Sequence, residues 1–365
     1  MVEKAAEPRI SPVRKRFRRA AQVFTTPFAA DDYLALLDWR LNTREATGVV
    51  VEKRMETEDA ATIVIRPTHR WPGHQPGQYL RLGILLDGKR KWRAYSLTSD
   101  PEHPEGHVSV TIKRDTEGEL SPFFVDEMEA GQTLYLGDVE GQFTLPDKLP
   151  GKMLMISAGS GITPIWALLR ELERRQYDGE VLHLHGARTA DDMIFGEALR
   201  EMAERFGPYA LHEHHSEDKG RVKTADLDDI CPDWRDRDVF LSGPREMIDT
   251  FEEHWNVEGE ADRLRTERFQ PVIGEGGEDI GGGTVKFRVT DCEATCEPGI
   301  SILVGGEQAG ADLPFGCRMG ICHTCVGRLA HGRVRDLRTG EIEGKEGEMV
   351  RTCVTAPDGD VEIEL

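Results

Sequence analysis

Several things are missing from this chain of 365 residues, and each absence narrows its class. No run approaches the roughly 18 uninterrupted apolar residues of a membrane-spanning helix, so no transmembrane segment is expected. The opening residues are basic and polar, so no secretory leader is read there. Seven cysteines without such a leader point to the reducing cytoplasm, where thiols serve metals rather than disulfides. Positive charge is in deficit, with 46 Lys and Arg against 66 Asp and Glu and a formal net charge of -20. A surface of that sign repels phosphate, which excludes nucleic acid as an expected partner. Neither G-x-S-x-G nor H-E-x-x-H occurs, so hydrolysis has no candidate residues. There is also no internal repeat.

One segment departs from the acidity. Residues 1–20 hold seven Lys and Arg against Glu3 and Glu7. Such an arm reads as a solvated tail or as a contact for anionic lipid or an acidic partner. After it, Ala30–Leu37 reads as a short helix capped by Asp31 or Asp32.

From Thr47 the pattern is strand-like. Val49–Lys53, Ala61–Arg66, Gln78–Leu82 and Val108–Lys113 are rich in branched residues, with Pro and Gly between them. They predict an antiparallel β-barrel over residues 46–150. Strands at Met153–Ser157, Val181–His185, Tyr209–Glu213 and Val239–Ser242 then alternate with helical segments. That alternation predicts a doubly wound parallel sheet over 151–270. Residues 271–283 are dominated by Gly and read as a linker, and 284–365 form a small β-rich module.

Within that last module, Cys317, Cys322 and Cys325 show C-x4-C-x2-C spacing, with Cys353 as a distant fourth. This is the ligand spacing of a plant-type [2Fe-2S] ferredoxin. A zinc site usually joins C-x2-C to a second close pair, so the x4 gap and the lone late cysteine argue against zinc. The spacing implies one-electron chemistry. Cys292 and Cys296 fall outside it and read as ordinary thiols, and Cys231 is uninformative. His212, His214 and His215 look like a metal cluster. On a strand, however, 212 and 214 share a face and 215 points away, which favours surface or capping roles.

Two further constellations suit nucleotide cofactors. Arg93-Ala94-Tyr95-Ser96 closes a strand, where a Tyr ring can stack on a flavin, a Ser can reach its edge and an Arg can fork onto phosphate. Lys113 ends the next long strand, and Gly118 and Ser121 precede a helix expected near Pro122, a setting that suits a pyrophosphate. Gly159-Ser160-Gly161-Ile162-Thr163-Pro164 joins a buried strand to a helix expected from Pro164. Ser242-Gly243-Pro244 ends the fourth strand of the sheet, and both turns should line one crevice. Arg188 follows the second strand, where Arg favours the 2′-phosphate of NADPH; Arg221 adds to this, and Asp191 and Asp192 oppose it.

Taken together these motifs resemble the ferredoxin–NADP reductase superfamily from about residue 46 onward. The matching patterns are R-x-Y-S at 93–96, G-x-x-S at 118–121, G-x-G-x-x-P at 159–164 and a late C-G-P-type turn at 242–244. Ser242 stands where the family usually has Cys, a change that implies slower hydride transfer. The resemblance implies an FAD-binding barrel, an NAD(P)-binding domain and a C-terminal β-grasp [2Fe-2S] ferredoxin. It implies flavin contacts from Arg93, Ala94, Tyr95, Ser96, Ile112, Lys113, Gly118, Leu120 and Ser121, with Phe269 as a capping ring or a plain core residue. Ser96 and Ser242 would flank the reacting edge.

The implied activity is electron transfer from NAD(P)H, with NADPH favoured, through FAD and [2Fe-2S] to a separate oxygenase or desaturase, carried out by a monomer. The Thr26-Pro27-Phe28 and Asp32-Tyr33-Leu34 preface most resembles reductases of membrane acyl-CoA desaturases and alkane hydroxylases. That would place the protein in the cytoplasm and at the inner membrane through its partner. Reductases of ring-hydroxylating oxygenases and of the hybrid-cluster protein are alternatives. A stand-alone small-substrate reductase and a redox-sensing binding protein are rivals of other classes.

Overall fold

The computed structural model describes residues 46–68, 71–86, 89–116, 118, 120–269, 282–311, 313–315, 320 and 325–365. The basic arm, the helix expected near Asp31, the Thr26–Leu34 preface and most of the Gly-rich linker lie outside the described residues. So do Cys317 and Cys322.

Six strands form the first unit: β1 (Thr47–Thr57), β2 (Ala60–Pro67), β3 (Tyr79–Leu86), β4 (Lys89–Ser96), β5 (Val108–Lys113) and β6 (Thr133–Glu140). Their order is β4-β3-β6-β1-β2-β5, and every neighbouring pair is antiparallel. The two edges meet: Leu97 bridges Val110, and the Thr98 N–H donates to the Ser109 carbonyl at 2.8 Å. The sheet thereby curls into a barrel and hides its edges. Alternate residues such as Ile63, Ile65, Leu80, Leu82, Val110 and Ile112 fill the interior. Ile112 is 1% exposed, so its side chain belongs to this core and only its backbone is available to a ligand. The turn expected near Pro122 begins earlier, at Leu120, whose buried side chain anchors it, and continues as a π-turn over Phe123–Glu127.

The second unit is a parallel sheet of β7 (Lys152–Ala158), β8 (Glu180–Ala187), β9 (Tyr209–His215), β10 (Asp238–Ser242) and β11 (Leu264–Glu267) in the order β11-β10-β7-β8-β9. Met153, Leu154, Met155 and Ile156 are all buried because helices cover both faces of the sheet. The principal helices are α1 (Ile162–Arg174), α2 (Gly196–Arg205) and α3 (Arg245–Glu258). Helix α1 starts two residues before Pro164, behind a 3-10 turn at Gly159–Gly161. Proline is tolerated in a first turn because its missing N–H would have no intrahelical partner there. Arg170 of α1 ties the two units together by donating to the Thr98 carbonyl at 3.0 Å.

The third unit contains β12 (Gly283–Phe287), β13 (Cys292–Cys296), helix α4 (Ile302–Gln308), β14 (Val326–His331), β15 (Val334–Asp336), β16 (Ile342–Glu343), β17 (Met349–Arg351), β18 (Thr355–Pro357) and β19 (Val361–Glu364). Five of the strands form a mixed sheet in the order β13-β12-β19-β14-β17, and β16-β15-β18 form a smaller one. Gly283, expected in the linker, instead opens β12 opposite Cys296. Helix α4 packs so closely on β13 that a Cβ on Gly305 would lie 2.2 Å from the Cys296 sulfur. No described helix is long and apolar enough to cross a membrane.

Candidate active site

Strand order reverses at β7, the first strand of the parallel sheet, which is flanked by β10 on one side and β8 on the other. Turns leaving β7 and β10 therefore diverge into α1 and α3 and leave a crevice at their carboxyl ends. The two turns touch there: a Cβ on Gly161 would lie 2.1 Å from the Ser242 carbonyl oxygen. Gly159 is left-handed at φ +54°, and nothing lies within 4 Å of where its Cβ would be, so its face toward the crevice is open.

A cavity of about 640 Å³ occupies this crevice and extends across all three units. Arg93, Ala94, Tyr95, Lys113, Gly118, Leu120 and Ser121 line it from the barrel. Gly159, Ser160, Gly243, Pro244 and Phe269 line it from the parallel sheet. Ser301, Leu303, Val304 and Cys353 close it from the third unit. Among the described residues singled out from sequence, Ser96, Ile112, Gly161, Ile162, Thr163, Pro164, Arg188, Ser242 and Cys325 do not form its wall. Ser96 and Ser242 are buried directly beside wall residues Tyr95 and Gly243.

Individual side chains are held firmly. Tyr95 meets Phe124 edge-to-face at 5.7 Å, and burial raises its hydroxyl pKa well above the usual value. Arg93 donates to the Trp92 carbonyl at 3.1 Å and forms no carboxylate pair among the described residues. Lys113 pairs with Asp59 at 3.2 Å. Ser121 Oγ accepts the Asp115 N–H at 3.0 Å, closing the loop over Gly118. Phe269 follows Arg268, which is fixed to Asp249 and Glu252 of α3. Arg188 is forked onto Asp192 at 3.1 and 3.2 Å, and Arg221 pairs with Glu246.

A flavin nucleotide fits this donor set. The cavity offers an aromatic face at Tyr95, a guanidinium at Arg93 and an open glycine turn at a helix start. Ser242, next to the wall residue Gly243, has a buried Oγ with no hydrogen-bond partner among the described residues. For the cluster, Cys325 and Cys353 are 1% and 4% exposed. The Gly320 N–H donates to the Cys353 sulfur at 3.3 Å, a bond suited to a ligating thiolate. Arg351 holds that turn by donating to the Gly320 carbonyl at 2.9 Å.

Some features were not legible in sequence. Glu267 pairs in register with Ser242 on the neighbouring strand, and burial pushes its carboxyl pKa up to about 7. Its strand is only four residues long, too short to show a period. His183 and His185 are fully buried and joined through Ser157. His214 braces a turn by donating from Nε2 to the Gly220 carbonyl at 2.9 Å, and His215 faces Glu213. Among the described residues no group of His, Cys, Asp and Glu is arranged to hold a metal. Cys296 is buried and Cys292 partly so.

Comparison with known proteins matches each unit. An oxidoreductase FAD-binding domain model matches residues 48–144, an oxidoreductase NAD-binding domain model matches 155–253, and a 2Fe-2S iron-sulfur cluster binding domain model matches 287–358. The chain is 40% identical over 351 residues to an NADPH oxidoreductase of Mycobacterium tuberculosis, covering 95% of this chain and 92% of that one. It is 28% identical to the glycine betaine monooxygenase reductase subunit of Pseudomonas aeruginosa, over 80% of this chain and 87% of that one. Phthalate dioxygenase reductase shares the fold, with a TM-score of 0.59 at 18% identity over 89% of this chain and 99% of that one.

Proposed function

This chain belongs to the ferredoxin–NADP reductase superfamily, as a flavin reductase joined to a C-terminal [2Fe-2S] ferredoxin, and on that premise we propose that it draws electrons from NADPH for a membrane acyl-CoA desaturase or alkane hydroxylase. It is an NAD(P)H-dependent FAD and [2Fe-2S] reductase of the kind that serves oxygenase systems. The observation that carries the reading is the shared cavity, where Cys353 of the ferredoxin faces the wall that holds Arg93, Tyr95, Ser160 and Gly243. The desaturase reading is supported by the Thr26–Leu34 preface. A second reading, a soluble oxygenase partner, is favoured by the likeness to the glycine betaine monooxygenase reductase subunit. In the first case the protein works as a cytoplasmic monomer, brought to the inner membrane by its partner.

Bound FAD supplies hydride acceptance, and the cluster supplies one-electron storage. The protein supplies orientation. Arg93 offers a planar fork to phosphate oxygens, and the Gly159–Gly161 turn aims backbone N–H groups at a pyrophosphate. Tyr95 and Phe269 present rings from opposite domains to the same cavity. Ser242 adjoins the wall residue Gly243, and its buried hydroxyl has no hydrogen-bond partner among the described residues. Arg188, exposed and paired with Asp192 at 3.1 Å, is the residue we assign to the 2′-phosphate of NADPH. Cys325 and Cys353, together with Cys317 and Cys322, would hold the cluster.

Reconstitution tests the reading. The full chain with NADPH should support turnover by a multi-His membrane desaturase and should reduce cytochrome c. Cys325→Ser should abolish both while keeping two-electron dye reduction. Cytochrome c reduction that survives the substitution would refute the electron route. Support for a soluble oxygenase and none for the desaturase would select the second reading.

A further inference from the structure

Cluster-bearing and flavin-binding units meet through a contact that the electron route does not by itself require. The Arg93 guanidinium lies over the ring of Phe315, 5.8 Å from its centroid. That is within the range of a cation–π contact. Phe315 packs against the ferredoxin core and stands two residues before Cys317. Arg93 stands two residues before Tyr95, on the strand that forms the cavity wall. A second observation agrees: Leu303, Val304 and Cys353 of the same module close the same cavity.

We infer that Phe315 is a positioning residue for electron transfer, seating the cluster-bearing module on the flavin-binding unit through the face of Arg93. The chemistry favours this pairing. A guanidinium uses its edge to grip phosphate oxygens, and its flat face stays available to an aromatic ring. One side chain therefore serves the cofactor with its N–H groups and the docked module with its face. A phosphate on the edge holds the guanidinium plane still, so a filled flavin site presents a fixed platform to Phe315. The inference rests on the electron-transfer reading above. NADPH gives up two electrons and one proton. The electrons pass one at a time through the docked cluster to the external acceptor, and the proton goes to solvent. Phe315 affects only the docked geometry, so the hydride step is untouched.

The test uses the full chain with both cofactors and three variants: Phe315→Tyr, Phe315→Leu and Phe315→Ala. Stopped-flow absorbance reads the rate of cluster reduction separately from flavin reduction by NADPH. Small-angle scattering of the resting protein reads compactness without any turnover. Tyr, which keeps the ring, should stay within twofold of the native transfer rate. Leu keeps apolar bulk but loses the π face, and it should slow transfer at least tenfold and enlarge the scattering radius; Ala should do the same. Flavin reduction and iron content should hold constant. Leu transferring as fast as native, or all three variants falling equally, overturns the inference. A native chain that never oxidises NADPH refutes the functional reading instead, and the scattering comparison still decides the contact.

Discussion

The hydroxyl of Ser157 lies 2.7 Å from Nδ1 of His185 inside the parallel sheet, and the same hydroxyl lies 2.8 Å from Nε2 of His183. His183 Nδ1 continues the chain to the Tyr209 hydroxyl at 2.9 Å. Both rings are 0% exposed. Burial lowers both pKa values, that of His185 to about 4, with Glu213 opposing the shift and His215 and Lys113 adding to it. The unfolded chain therefore binds more protons than the folded one between the ordinary value of 6.5 and about 4. Stability is full above pH 6.5 and falls as the pH drops through that window, by about 3 kcal/mol for His185. Thermal melts from pH 7 to pH 4 of the native chain and of His185→Gln isolate this contribution from the opposing one of Glu267: the native chain should lose more stability than the variant as the pH falls. Parallel profiles for the two would contradict the assignment.

Gly161 predicts a steric lesion. Its backbone is ordinary, yet a methyl group there would press on the Ser242 carbonyl, which has no rotamer to escape through. Gly161→Ala should cost about 1–3 kcal/mol of stability by overpacking. It should also weaken nucleotide binding, because the β7 and β10 turns would part. Chemical denaturation and a nucleotide titration check the two effects.

Ser242 predicts the opposite balance. Its buried Oγ has no partner among the described residues, so Ser242→Ala should leave stability unchanged or raise it by up to about 1 kcal/mol. Hydride transfer should nevertheless slow about tenfold, the size of one hydrogen bond lost near the reacting edge. Loss of stability without loss of rate would assign Ser242 a structural role only.

Glu267 adds a second pH signature. Burial raises its carboxyl pKa to about 7 from the ordinary 4.5, so the folded chain binds more protons in that interval. Its contribution is greatest below pH 4.5 and declines as the pH rises through 7. Glu267→Gln should remove that decline and melt higher than native at pH 8, with little difference at pH 4.5.

The proposed use of NADPH makes Arg188 the residue to test for cofactor choice. Arg188→Ala should lower kcat/KM for NADPH by tenfold or more, on the scale of about 1.5–3 kcal/mol for a charged hydrogen bond, and spare NADH. Equal losses with both nucleotides would remove Arg188 from the phosphate site and leave only its pair with Asp192.

The parts most legible in sequence were those whose geometry is local. Strand–turn–helix order around Gly159 and the β-branched runs at Ala61–Arg66 and Val108–Lys113 needed only neighbouring residues to be recognised, and the late cysteines announced a metal module by spacing alone. What escaped notice depends on distant partners. Phe315 reads as one aromatic in a loop until Arg93 is placed beside it. His183 and His185 read as polar positions on a strand, and only Ser157 and Tyr209 from flanking strands make their burial tolerable. Several ferredoxin strands, such as Ile342–Glu343 and Thr355–Pro357, are too short to carry a period and exist because their partners supply hydrogen bonds.

The edge-to-face contact of Tyr95 with fully buried Phe124 fixes the phenol plane from within the barrel rather than from the ligand side. Holding that ring in place costs nothing further when a coenzyme arrives, since its rotational freedom was already surrendered as the barrel formed. Chemically altered isoalloxazines should therefore dock in one common tilt. Differences among such analogues would then report their intrinsic redox properties and not a reshaped pocket.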